Sequence, residues 1–387
     1  MSRLTQTIAG ITYNTPFVIG SSPLTDSPDL IKQAEENGAG AVSTKLTMLI
    51  QPIQGVRKMY GVKGMYQFNP SDKRNDFEDG LELVRKAREA TDLVIWANMA
   101  GPGEDLDGWV KLGKALEQAG AHALELNFNC PNFNQAPDAG KKIKVGAGVG
   151  KNPELCEQVS AAVKNAVKIP VIPKISPDVP DVLQVYSAIE RAKVDGVVIN
   201  TGYLAAPPID IYRHGAINMG TMTKCAMGAA VGPINKQYSN RFVALCAQNN
   251  KIPIAGGGGI ASWEDAVESI MFGSSLTTVC TKLLWEGYPY LKKMVAGLEK
   301  FMEEQGYESI DQMRGIALEN LVTTDAMEYT KNKAKVDKDK CVGCGACEKI
   351  GSCRAIKLVD KKAVVDENIC ISCGLCGALC NKKAISF

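Results

Sequence analysis

Between residues 16 and 284, short runs of apolar, β-branched residues alternate with stretches whose apolar positions recur every three or four residues. The runs predict strands at Pro16–Ser22, Ala41–Lys45, Val94–Ala100, Ala121–Phe128, Val171–Ser176, Gly196–Thr201, Ile252–Gly257 and Ser275–Thr281. Amphipathic stretches such as Leu106–Gly120, Pro153–Val167, Val182–Lys193 and Trp263–Gly273 predict helices between them. Strands that are apolar throughout, separated by helices, imply a parallel sheet buried on both faces. Eight of them over roughly 270 residues fit an α/β fold of the (β/α)8 TIM-barrel kind. An open doubly wound sheet fits less well, because no G-x-G-x-x-G follows the first strand. Tyr290–Gly306 reads as a closing helix and Ser309–Asn320 as another.

The periodicity stops at Lys331–Lys340, KNKAKVDKDK, with five lysines in ten residues. It reads as a solvated linker, with docking of an acidic redox partner as the alternative. It divides the chain into a barrel at residues 1–330 and a small domain at 331–387. The small domain carries Cys341, Cys344, Cys347 and Cys353, then Cys370, Cys373, Cys376 and Cys380. Three thiolates at successive x2 spacings wrap one cubane, and the distant fourth cysteine closes the partner cluster. Cys341, Cys344, Cys347 and Cys380 would hold one [4Fe–4S] centre, and Cys370, Cys373, Cys376 and Cys353 the other. Zinc ribbons use paired cysteines, often with histidine, and disulfides need an oxidising compartment. The pattern therefore predicts a bacterial ferredoxin-like domain that moves single electrons. Arg354 and Asn381 stand where proline usually follows the closing cysteine.

Composition narrows the setting. The 387-residue chain has room for two domains, and its net charge of +2 carries no signature of nucleic acid or anionic membrane. No stretch reaches transmembrane length, and the N-terminus lacks an apolar signal region. Five of the 13 cysteines lie outside the cluster pattern, which suggests a reducing cytoplasm. Only His122 and His214 are present, so a histidine base is not expected.

In a barrel of this kind the active residues sit where the strands end. Those ends carry Thr44-Lys45, Glu125-Leu126-Asn127-Phe128-Asn129-Cys130-Pro131-Asn132, Lys174, Asn200-Thr201, Gly256-Gly257-Gly258-Gly259 and Cys280-Thr281. Amides, lysines and one thiol converge on a mouth expected to hold almost no acid. Such a mouth suits an uncharged or anionic heteroaromatic ligand. The glycine run between strands seven and eight matches the barrel phosphate site. A phosphate-bearing redox cofactor beside iron–sulfur clusters points to FMN, which accepts single electrons and passes on a hydride.

At these residues the chain resembles the dihydroorotate and dihydropyrimidine dehydrogenase superfamily, in the order barrel, closing helices and two-cluster tail. N-F-N-C-P-N at Asn127–Asn132 matches the superfamily's N-x-S-C-P-[NHQ] active loop. The resemblance implies that Lys45 and Lys174 contact the flavin, with Gly20, Ser21, Thr44, Asn127, Asn200, Thr201, Gly228, Gly258, Gly259, Cys280 and Thr281 also on the cofactor side. It implies that Asn69, Asn127, Asn132, Asn200 and Thr201 hold the substrate ring, and that Cys130 is the general acid–base. A thiol near its ordinary pKa can give or take the proton that accompanies hydride transfer. The following loop, Phe133–Lys151, reads as a lid, and the Tyr203–Lys224 insertion as lying over the same mouth. Lys224–Gly232 departs from the superfamily's glycine-rich pattern, keeping only Gly228. Cys156, Cys225 and Cys246 read as packing residues.

The function implied is reduction, or reversible oxidation, of the C5–C6 bond of a pyrimidine base such as uracil or thymine. Dihydroorotate, another cyclic enamide or enone, a tRNA dihydrouridine synthase-like role and a purely electron-carrying role are the alternatives. The chain has no second dinucleotide-binding pattern, so a separate NAD(P)H-oxidising FAD subunit or a ferredoxin is the expected electron donor. A homodimer is implied by resemblance alone.

Overall fold

The computed structural model describes residues 2–49, 57–130, 144–176, 178–179, 181–200, 202–220, 222–249 and 251–387. They form two compact units, Met1–Asn320 and Leu321–Phe387.

In the first unit eight parallel strands close on themselves. They are β1 (Phe17–Ile19), β2 (Ala41–Ser43), β3 (Val94–Ala100), β4 (Ala123–Phe128), β5 (Val171–Ile175), β6 (Val197–Asn200), β7 (Ile254–Gly257) and β8 (Leu276–Val279). Each pairs with the next, and β8 pairs with β1 to complete the (β/α)8 barrel. Seven of the eight strands are one to four residues shorter than the apolar runs predict, because the run ends turn into loops, while β3 matches its run. Thr281, read as strand, instead opens the helix Thr281–Glu286.

Helices follow the strands, and most start at a capping side chain. Ser27 caps α1 (Pro28–Glu36), Asp76 caps α2 (Phe77–Ala90) and Asp105 caps α3 (Leu106–Gln118). Asn152 caps α4 (Pro153–Ala166), Asp181 caps α5 (Val182–Arg191) and Ser262 caps the helix Trp263–Met271. Lys236–Asn249 lies between β6 and β7, and Pro289–Gln305 closes the unit. The helix expected over Ser309–Asn320 is broken. Only Ile310–Met313 is α-helical, because Arg314 turns extended and Gly315 takes φ 77°.

Alternation along the strands separates two cores. Leu124, Leu126 and Phe128 face outward and pack with Trp109, Leu112, Val159 and Val163 of the helices. Ala41, Trp96, Ala123, Ile172, Val198, Ala255 and Leu276 fill the lower barrel interior. A hairpin of Gln6–Ile8 and Ile11–Tyr13 packs Ile8 and Ile11 against this layer, and Trp96 Nε1 donates to Tyr13 Oη at 3.2 Å.

Two excursions above the strands form a further sheet that the apolar pattern does not show. Lys58–Val62, Tyr66–Ser71, Gly228–Val231 and Tyr203–Ala205 pair antiparallel, with Asn69 opposite Ala229. Of the expected lid, residues 133–143 lie outside the described residues. The remainder contributes Val145 and Val149 to the main core instead, and Ala147–Gly150 forms a short helix.

In the second unit the lysine-rich segment is not a free linker. Lys335–Val336 pairs with Ile385–Ser386, and Lys333 Nζ donates to the Cys370 carbonyl at 2.6 Å. Ile356–Val359 and Lys362–Val365 form a second hairpin. The interior is Ala334, Ile350, Ala355, Ile356 and Ala363 together with Cys347, Cys370 and Cys376. No helix among the described residues is long and apolar enough to cross a membrane.

Candidate active site

The register of the barrel turns the strand sequences into a layered polar floor. Asn98 lies opposite Glu125, and Lys174 opposite Asn127. Alternation then points Ser43, Asn98, Glu125 and Lys174 inward above the apolar layer, with Asn127 one step higher. Glu125 Oε2 accepts from Lys174 Nζ at 3.0 Å, from Ser43 Oγ at 2.5 Å and from Asn98 Nδ2. Asn98 Oδ1 accepts from Asn127 Nδ2 at 3.1 Å, and the same Nδ2 lies 3.4 Å from Cys130 Sγ. Asn127 Oδ1 accepts from the backbone N–H groups of Asn129 and Cys130 at 3.1 and 3.0 Å. Cys130 is thereby held over the end of β4.

Above this floor a cavity opens at the C-terminal ends of the strands. Of the residues singled out in sequence, Gly20, Ser21, Lys45, Asn69, Asn127, Cys130, Lys174, Asn200, Gly258, Gly259, Cys280 and Thr281 line it. Two do not. Thr44 is buried beside the wall, where its Oγ1 accepts from Asn98 N at 3.2 Å. Gly228 sits on the antiparallel sheet, where a Cβ would lie 2.7 Å from Pro70 Cα, so close strand packing explains its lack of a side chain. Asn132 and Thr201 lie outside the described residues.

The mouth, expected to hold almost no acid, holds one among the described residues, and a second lies beneath it. Asp72 lines the cavity and pairs with the Lys45 ammonium, with Arg57 Nε at 3.2 Å and with Arg74 Nη1 at 3.8 Å. Burial alone would raise the Asp72 carboxyl, but Lys45, Arg74 and Arg57 outweigh it and hold it below its usual range. Burial lowers Lys45 against the pull of Asp72, and Arg74 adds to the lowering. Glu125 is the second acid, 2% exposed and beneath the wall rather than in it.

Sequence reasoning missed Glu125 and Asn98 as a pair, although A-L-E-L-N-F, which holds Glu125, and V-I-W-A-N-M-A, which holds Asn98, carry the signal. Polar residues at every second position of an otherwise apolar strand face a barrel interior. It also missed Gln67, Asp72, Arg74 and Gly232, all in the cavity wall. Gln67 Nε2 donates to Asn69 Oδ1 at 2.7 Å and so fixes that amide's orientation. These residues reach the mouth only through the pairing of two distant excursions, which no local pattern announces.

The remaining thiols divide by burial. Cys156 and Cys246 are pushed up to about 12 by burial and belong to the core. Cys280 is also raised by burial, against a hydrogen bond with Ser22. His122 accepts from Ile95 N at 2.9 Å and does not line the cavity.

In the second unit Cys341, Cys344, Cys347 and Cys380 line one cavity. Cys353 and Cys373 both bear electrostatically on Cys376, one of the other triplet's two buried members. No three acidic, histidine or cysteine side chains among the described residues converge closely enough for a single metal ion. A cubane spreads its four thiolates more widely than a mononuclear zinc does. Backbone N–H groups of Ala363 and Ala384 donate to Cys341 and Cys380 Sγ at 3.4 and 3.3 Å.

A closed barrel sets a thiol among amides and ammonium groups at its mouth, and the comparisons with known proteins place the chain among oxidoreductases acting on CH–CH groups. The dihydroorotate dehydrogenase family profile matches residues 69–302, and the chain belongs to that family. It is 28% identical over 363 residues to the NAD-dependent dihydropyrimidine dehydrogenase subunit PreA of Escherichia coli K12, covering 89% of this chain and 84% of that one. It is 31% identical over 316 residues to the catalytic subunit of dihydroorotate dehydrogenase B (NAD(+)) of Pyrococcus furiosus, covering 80% and 96%. The corresponding Thermoplasma volcanium subunit is 31% identical over 325 residues, covering 82% and 99%.

Proposed function

We propose that this chain is the catalytic subunit of a flavin- and iron–sulfur-dependent enzyme that reduces, or reversibly oxidises, the C5–C6 bond of a pyrimidine base such as uracil or thymine. The observation that carries the reading is one cavity lined by Cys130, the amides of Asn69, Asn127 and Asn200, and the ammonium groups of Lys45 and Lys174. Paired amide donors and acceptors suit the C=O and N–H edges of a pyrimidine ring.

The residues fit FMN. Gly232, Gly258 and Gly259 take φ 110°, 86° and 117° along the wall, and a Cβ on Gly259 would lie 2.6 Å from Lys236 N. Thr278 Oγ1 in the same wall is buried with no hydrogen-bond partner among the described residues. Gly258, Gly259, Gly232 and Thr281 would hold the phosphate, and Lys45 and Lys174 the flavin's polar edge. When bound, FMN supplies the hydride and the capacity for single electrons.

The chain's own residues do the rest. The ammonium of Lys174 favours negative charge in the cavity. Asn69 and Asn200 orient the substrate ring. Cys130 Sγ gives its proton to the carbon adjacent to the one receiving hydride, or takes it in the reverse direction. In the second unit, Cys341, Cys344, Cys347 and Cys380 would hold one [4Fe–4S] cluster, and Cys353, Cys370, Cys373 and Cys376 the other, each supplying one-electron transfer. The similar proteins are named as subunits, which supports a separate NAD(P)H-oxidising partner as the electron donor.

A second reading takes dihydroorotate as substrate. Arg74 in the cavity wall favours it, since it offers a cation to a carboxylate on the ring. Anaerobic mixing of fully reduced protein with uracil, thymine and orotate, followed by flavin absorbance, distinguishes the two. Reoxidation by uracil or thymine is expected, slowed roughly 10²- to 10⁴-fold in Cys130→Ala. Reoxidation by orotate alone would move the assignment to the second reading, and none by any of the three would reject both.

A further inference from the structure

Beneath the cavity floor one acid joins its two ends without entering it. Glu125 is 2% exposed and Asn98 fully buried, and neither lines the wall. On one side Glu125 accepts from Lys174, which does line it. On the other it accepts from Asn98 Nδ2, Asn98 accepts from Asn127, and Asn127 contacts Cys130 through both amide atoms.

A carboxylate can only accept, so the direction of this chain is fixed from its buried end. Asn98 must turn its NH2 to Glu125 and its oxygen to Asn127. Asn127 must then turn its NH2 towards Asn98 and Cys130 Sγ, leaving its oxygen for the backbone N–H of Cys130. A neutral amide at position 125 could donate as well as accept and would impose no such direction. The carboxylate also compensates the Lys174 ammonium in surroundings where charges are poorly screened.

We propose that Glu125 is a positioning residue for both half-reactions: it compensates and orients Lys174 on the flavin side, and through Asn98 and Asn127 it orients Cys130 on the substrate side. The inference rests on the flavin reading above, and its test reads quantities other than turnover.

The flavin midpoint potential is measured anaerobically without substrate in wild type, Glu125→Gln and Glu125→Asp. Alkylation of Cys130 by iodoacetamide is followed against pH by the mass of its peptide. In Glu125→Gln, Lys174 loses its counter-charge. The reduced-to-oxidised ratio at fixed potential should rise at least tenfold, about 30 mV for a two-electron couple. The alkylation midpoint should move to higher pH, because Asn127 no longer holds its NH2 on Cys130 Sγ and the thiolate loses that donor. Glu125→Asp should shift both in the same direction by less. Asn98→Leu, which cuts only the amide arm, should move alkylation to higher pH and leave the potential in place.

A Glu125→Gln protein that keeps its flavin with both readouts unmoved overturns the proposal. If that variant does not fold, Glu125→Asp and Asn98→Leu decide it, and equal movement of both readouts in Asn98→Leu overturns the two-arm assignment. If wild type binds no FMN, the proposed function fails instead, and the alkylation series on flavin-free protein still decides the role of Glu125.

Discussion

The two units of this chain solve the problem of an interior differently. The barrel unit buries Phe17, Trp96, Trp109, Phe128 and Tyr186 almost completely. Its core clusters are aliphatic and aromatic on both faces of the strands, below the polar layer at their ends. In Leu321–Phe387 the interior is small residues, two isoleucines and three cysteines that the sequence pattern marks as cluster ligands. A domain of that size has little apolar surface to bury, and bound metal then becomes part of its folding free energy. The comparison teaches that the same residue type is structural filling at Cys156 and Cys246 and the proposed scaffold itself at Cys347, Cys370 and Cys376.

The largest test of that contrast is to remove metal ligation. Cys376→Ala should lose one cluster and leave its unit open to protease, while the barrel fragment stays intact in the same digest. Equal protection of both units would break the comparison. The converse change is Trp109→Ala. It leaves a large cavity beside Phe128, whose ring lies 5.8 Å away edge-on, and should cost the barrel about 3–5 kcal/mol in denaturant titration. Iron content and cluster absorbance should not move.

Gly259→Ala sharpens the picture within the barrel. Its φ of 117° is costly for any side chain, and about 1–3 kcal/mol of strain is expected. FMN affinity measured by fluorescence should fall, while the apolar layers stay packed. Asp72→Asn is the smallest. The folded carboxyl lies below its unfolded value of about 3.9, so the native pairing with Lys45 stabilises above that pH. The contribution fades as pH falls through the folded value. Wild type and Asp72→Asn should therefore differ in thermal stability at neutral pH and converge in strong acid.

Much of the barrel was legible because its signals are local. A continuous apolar run ending in Asn127-Phe128-Asn129-Cys130, or Gly256–Gly259 before a capped helix, names its element and its end of the barrel from neighbouring residues alone. The wall containing Gln67, Asp72, Arg74 and Gly232 was not legible. It exists because Tyr66–Ser71 pairs with Gly228–Val231 across more than 150 residues of chain. Gly228 illustrates the cost of reading locally. It resembled a remnant of a phosphate loop, yet strand packing against Pro70 fills the space its Cβ would need.

What the sequence determined by itself was the order of elements, the place of each strand to within a few residues and the identity of the thiol, amides and cysteines beside it, since hydrophobic period and ligand spacing are properties of neighbouring residues. What only the tertiary structure decided was which of those groups face one another. Closure of the barrel puts Glu125 on Lys174 and Asn98, and the two excursions bring Asp72 to Lys45. Contacts between residues distant in sequence depend on register and closure, which a single strand does not encode.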